Sequence, residues 1–148
     1  MKTQTIQTKY GIRILRMLFT FALALLPLFI LLPLPVFAAT ITVDTLADES
    51  DGSCSDGDCS LRDAIAVASA SDTINFDVTG TITLTLDYLT IDKDLTIEGP
   101  GAADLIVNGD DTWRVFWINE DVNAILSGIT IADGKAQDGA GIFNRGGT

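Results

Sequence analysis

The chain reads as an all-β protein built from stacked repeats and entered through a small helical cap. Three observations carry that reading. From Thr73 onward, short strand-like runs recur about every ten residues, broken by Gly, Asp and Asn. Three of them, Leu95-Thr-Ile-Glu-Gly99, Leu105-Ile-Val-Asn-Gly109 and Ile129-Thr-Ile-Ala-Asp-Gly134, are variants of one strand-then-glycine unit, the mark of a repeat array. Ahead of them lies a single segment with helical rather than strand periodicity. The run spacing alone also suits a β-sandwich. Asn108-Gly109 is the two-residue hairpin signal that a sandwich would need.

In chain order, residues 1–38 read as an export signal. Lys2, Lys9, Arg13 and Arg16 precede an apolar run from Met17 to Leu34, and Val36-Phe-Ala38 supplies the small-residue cleavage pattern before Ala39. An apolar run of about 18 residues also approaches the length of a membrane span. Pro27, Pro33 and Pro35 interrupt it, however, so cleavage is expected and no stable span afterwards. All 20 acidic residues follow position 38, opposed there by Arg62, Lys93, Arg114, Lys135 and Arg145. The net charge of −11 thus becomes −15 once the four basic residues of the leader are gone. A surface this acidic repels nucleic acid and anionic membranes and suits a secreted or cell-surface protein.

Ala39 to Thr45 alternates as a first strand, with Ile41 and Val43 on one face. A polar loop rich in Asp, Ser and Gly follows, containing Cys54 and Cys59. Two cysteines in the exported part read as one disulfide. With no histidine in the chain they fall short of a zinc set, and their spacing is not Cys-x-x-Cys. Ser60 then opens a helix. Its hydroxyl can accept the amide of Asp63, and the Asp63 carboxylate can reach back to the Ser60 N–H as a capping box. Leu61, Ala64, Ile65 and Ala68 give this helix one narrow apolar face. The strand runs after it are 73–76, 81–86, 95–98, 105–107, 115–118, 125–126, 129–131 and 141–143.

Cys59-Ser-Leu-Arg-Asp-Ala-Ile65 resembles the Cys-Ser-Leu-Arg-Glu-Ala motif near the start of many secreted bacterial proteins read as right-handed parallel β-helices. Ile41-Thr-Val-Asp-Thr45 before it and Asp72-Thr-Ile-Asn-Phe76 after it fit the same pattern. Asp63 departs from the usual Glu but can serve the same cap. Gly139-Ala-Gly-Ile-Phe-Asn-Arg-Gly146 is similar to the Gly-Gly-x-Ile-x-Asn repeat of polymorphic outer-membrane proteins, in which Asn144 would be a stacked turn residue. The resemblance implies a signal peptide at 1–38, an N-terminal cap at 39–72 and the first coils of a β-helix at 73–148, with further coils expected downstream. A non-enzymatic surface scaffold or adhesin is the leading expectation, because no histidine and few basic residues leave no general acid–base set visible. The alternative is the N-terminal part of a β-helix polysaccharide lyase or glycoside hydrolase with its catalytic coils downstream.

Two places could hold a ligand. Asp48, Asp51, Asp56 and Asp58, with Glu49, offer hard oxygens suited to Ca²⁺ but lack EF-hand spacing, and a solvated turn is the plainer reading. Trp113 and Trp117, two apart from Val115, would share one face of a strand beside Asp110 and Asp111. Outward, they would make a sugar-stacking platform; inward, they would pack beneath a loop, as tryptophan mostly does. Adjacent carboxylates on one strand point to opposite faces, so Asp110 and Asp111 with Arg114 do not make a glycosidase pair. No catalytic residue is assigned, no cofactor beyond Ca²⁺ is expected, and the expected partners are extracellular glycans or cell-surface components.

Overall fold

The computed structural model describes residues 37–55 and 57–146. The expected signal segment therefore lies outside the described residues apart from Phe37 and Ala38, and so does Asp56. Ten short strands and one helix follow in order. They are β1 (Thr40–Val43), α1 (Leu61–Val67), β2 (Asp72–Phe76), β3 (Gly80–Thr83), β4 (Leu89–Ile91) and β5 (Leu95–Glu98). Next come β6 (Leu105–Asn108), β7 (Phe116–Ile118), β8 (Ala124–Ser127), β9 (Thr130–Ala132) and β10 (Ile142–Asn144).

The strands fall into three sheets, ordered β1-β2-β5-β8, β3-β6-β9 and β4-β7-β10. From β2 onward the chain visits the three sheets in rotation, laying one strand on each per circuit. Every strand pairing is parallel. Asn108-Gly109 is therefore not a hairpin turn, and the sandwich arrangement is overturned. Asn108 ends a strand that pairs in parallel with β3 and β9. The Gly109 amide then donates to the Ala132 carbonyl of the next circuit at 2.9 Å.

Parallel register places like residues above one another, and the interior is made of such columns. Ile41, Ile74, Ile97 and Leu126 align in the first sheet. Ile82, Val107 and Ile131 align in the second. Leu89, Phe116 and Ile142 align in the third, with Ile91 against Ile118. Ile74, Ile97, Val107, Ile91 and Phe116 are wholly buried. Each side chain of this kind contributes about 1.5–3 kcal/mol on removal from water. The strand alternation thus delivers its inward residues to one shared core.

At the first circuit, α1 lays Leu61, Ala64 and Ile65 into that core beside β1 and β4. The Ser60 hydroxyl accepts the Asp63 amide at 3.0 Å, while the Asp63 carboxylate does not turn back to the Ser60 N–H. Its Oδ1 accepts the Gly52 amide at 2.8 Å and its Oδ2 faces the Ser60 hydroxyl at 2.7 Å. Asp63 is a methylene shorter than Glu, and the acidic loop folds over α1 and offers an amide instead. The disulfide Cys54–Cys59 closes that loop.

Two glycines let the corners stack. Gly99 and Gly128 follow the paired ends of β5 and β8, and a Cβ built on Gly99 would meet the Gly128 carbonyl at 2.2 Å. Gly128 also takes a φ of +63°, which side chains disfavour.

Candidate functional site

The outer face of the third sheet is aromatic. Leu89 and Ile91 in β4, and Phe116 and Ile118 in β7, point inward. Thr90, Trp117 and Phe143, which share one register column, therefore point out. Tyr88, two residues before Thr90, falls on the same face. The Tyr88 and Trp117 ring centroids are 5.8 Å apart, and those of Trp117 and Phe143 are 4.6 Å apart. All three rings are half-buried.

Arg114 braces this ladder. Its guanidinium carbon lies 4.9 Å from the Trp117 centroid and 4.5 Å from that of Phe143. Nε and Nη2 donate to the Gly139 and Asp138 carbonyls at 2.9 and 2.7 Å. Trp117 Nε1 donates to Asn119 Oδ1 at 2.9 Å. Rings held this way are fixed against one another and against Arg114, so the parts they leave exposed cost little entropy to use.

The structure does not pair Trp113 with Trp117. Strand β7 begins only at Phe116, and Asp110 and Asp111 both take left-handed φ values, 53° and 51°. That turn breaks the two-residue period, so Trp113 sits in the turn and packs partly against the core. Asp110 and Asp111 are exposed in the turn. The Asp110 amide donates to Asn108 Oδ1 at 2.6 Å and the Asp111 amide to the Asp133 carbonyl at 2.8 Å.

Beside the ladder, an open groove of about 440 Å³ runs between α1 and β4, with Arg62, Ile65, Tyr88, Asp92 and Lys93 on its walls. Tyr88 belongs to both groove and ladder. Lys93 Nζ donates to the Ile65 carbonyl near the end of α1 at 3.2 Å and lies 3.3 Å from Asp92 Oδ1.

Arg62 is the hub of the cap. Its Nε and Nη2 meet the two Asp48 oxygens at 2.8 and 3.1 Å, Nη1 donates to the Tyr88 carbonyl at 3.1 Å, and Nη2 also reaches the Asp87 carbonyl. Asp48 Oδ2 accepts the Thr85 and Leu86 amides as well, at 2.7 and 3.0 Å. Burial pushes the Asp48 carboxyl upward. The hydrogen bond from Arg62, the two amides and the Arg62 charge outweigh it, leaving the group below the ordinary carboxylate value.

Of the expected calcium ligands, then, Asp48 is committed to Arg62 and the 85–86 backbone. Asp51 Oδ1 accepts the Ser53 amide at 2.9 Å within its own turn. Asp58 also has a partner, and Asp56 is outside the described residues. Among the described residues no three His, Cys, Asp or Glu side chains are grouped to hold a metal, and no helix is long and apolar enough to cross a membrane.

No protein family, curated protein or solved structure matches the chain. The ladder and groove therefore stand on their own geometry. Sequence reading missed Tyr88 and Phe143. Phe143 follows its register partner Trp117 by one circuit of 26 residues, whereas Tyr88 lies outside that register and carried no such signal.

Proposed function

We propose that the three parallel sheets are coils of a parallel β-helix, and that the protein is a secreted or cell-surface, non-enzymatic scaffold that binds glycans along the outer face of β4, β7 and β10. The observation that carries this is the aromatic ladder Tyr88–Trp117–Phe143, whose rings meet across successive circuits on one outer face. Sugar C–H faces pack on such rings, and a ladder along the stacking direction matches an extended chain of sugars. The resemblance around Cys59 to Ile65 and the disulfide support an extracellular setting. The net charge of −15 without the leader favours neutral over acidic polysaccharides, which the surface would repel.

The test is titration of the folded protein with neutral oligosaccharides, following tryptophan fluorescence with and without Ca²⁺. Saturable change that vanishes in Trp117→Ala, while Trp113→Phe still responds, supports the ladder. A flat response from well-folded protein leaves a scaffold without this ligand. A response that depends on Ca²⁺ and survives Trp117→Ala would move the site to the acidic loop.

A further inference from the structure

The start of β1 carries an arrangement that its packing does not require. Asp72, at the head of β2, is 5% exposed. Its Oδ2 accepts the Ser69 amide at 2.8 Å, and its Oδ1 accepts the Ala39 amide at 2.7 Å. These two amides hold the carboxyl below its ordinary value, Ala39 more than Ser69, against the opposing push of burial. Ala39 is the residue that the Val36-Phe-Ala38 pattern places first after cleavage. The bond before it is open to attack, because residues 37–39 are exposed, Phe37 at 82%, and lie in neither helix nor strand. In the same residue the fold begins, with the Ala39 carbonyl accepting the Thr73 amide at 2.9 Å.

We propose that removal of the leader between Ala38 and Ala39 turns the Ala39 nitrogen into an α-ammonium held by the Asp72 carboxylate, so that processing itself locks β1 onto β2. This rests on the export reading above. The step is a hydrolysis catalysed by a leader peptidase. Water's hydroxyl goes to the Ala38 carbonyl carbon, its proton goes to the Ala39 nitrogen, and a further proton from solvent gives the ammonium. A hydrogen bond from a neutral amide becomes a charge-assisted one at an atom already within bonding distance. Asp44, Asp77 and Glu98 lie at the opposite ends of β1, β2 and β5, and several other charged groups are already engaged. Lys93 is on Ile65 and Asp92, Arg62 is on Asp48, Asp63 is on Gly52 and Ser60, and Asp94 Oδ1 accepts the Asn123 amide. Asp72 is thus the carboxylate placed to meet the new terminus.

The full chain is expressed with its leader in a secreting host, and the product is read by intact mass and N-terminal sequencing. The α-amino group is then titrated in wild type and in Asp72→Asn by its rate of acylation against pH. Expected are a terminus at Ala39 and an α-amino pKa about one unit higher in wild type, slowing acylation near neutrality about tenfold. A raised pKa stabilises the fold below the ordinary α-amino range and loses that effect as pH rises through the folded value. The free-amine protein should therefore melt above its N-acetylated form at pH 6 and match it above about pH 9. A different terminus, or a retained leader, overturns the proposal together with the cleavage site it rests on. A terminus at Ala39 with equal titration in the two proteins overturns the ion pair and leaves export standing. Should Asp72→Asn fail to fold, equal melting of free and acetylated wild type at pH 6 overturns the ion pair in the same way.

Discussion

Replacing Arg62 with Met keeps most of the side chain's apolar length and removes its charge. The Asp48 side chain is 1% exposed and that of Arg62 16%, so the variant strands a buried carboxylate rather than loosening a surface pair. Breaking a buried pair from one side costs about 3–5 kcal/mol. Asp48 keeps the Thr85 and Leu86 amides, which places the cost at the lower end, about 3 kcal/mol. The Asp87 and Tyr88 carbonyls lose a donor, but Asp87 is exposed and Tyr88 half-buried, so water can replace it at little cost. For a domain near 100 residues, about 3 kcal/mol lowers Tm by roughly 12–20 °C. Calorimetry at pH 7 reads this directly. The Asp48→Asn/Arg62→Met double variant, which strands no charge, should recover about 2 kcal/mol of the loss. Because the folded Asp48 carboxyl lies below its unfolded value, the pair's contribution is present above about pH 4 and lost as pH falls through the folded value. The gap between wild type and Arg62→Met should therefore close in acid. A loss under about 0.5 kcal/mol, the scale of an exposed pair, or strict additivity in the double variant, would refute the reasoning.

Cys54→Ser opens a loop spanning five positions and should cost about 2 kcal/mol by chain entropy, with oligosaccharide titrations unchanged. A lower affinity at unchanged Tm would instead make the cap a binding site. Gly99→Ala drives a Cβ into the Gly128 carbonyl and should cost about 1–3 kcal/mol in urea unfolding, since backbone rather than a flexible side chain must yield. Ser60→Ala removes the acceptor of the Asp63 amide and a partner of the buried Asp63 carboxylate. A loss of about 2 kcal/mol is expected, above the ~1 kcal/mol of a simple cap, and thermal melts would resolve the difference.

Local features were legible because local physics sets them. The alternating runs became strands, and the Ser60 opening with its apolar stripe became α1. Strand β4 was missed, since Leu89-Thr90-Ile91 is too short to show a period and lies against Asp92-Lys93-Asp94. The tryptophan pair failed for a conformational reason: composition does not announce that Asp110 and Asp111 are both left-handed. The three strand-then-glycine units look alike yet occupy two sheets. The one beginning at Leu105 lies beneath the one at Ile129, while the one at Leu95 neighbours Ala124. Circuits of unequal length hide such alignments. Thr73, Thr96 and Ile125 stack at steps of 23 and then 29 residues, so no single period brings Tyr88, Trp117 and Phe143 together. The commitment of Asp48 was equally invisible, its amide partners lying 37 and 38 residues away.

That last separation sets an order of events during synthesis. A chain made from its N-terminus presents Asp48 well before Thr85, Leu86 and Tyr88 have emerged. Until they do, Asp48 and Arg62 lack half of their partners and the helix has no β4 to rest on. The closure of the first circuit, and not the local helix signal, is then the event that commits the cap. Nucleation has to wait for roughly half of the described residues, after which each later circuit adds onto an edge already in place.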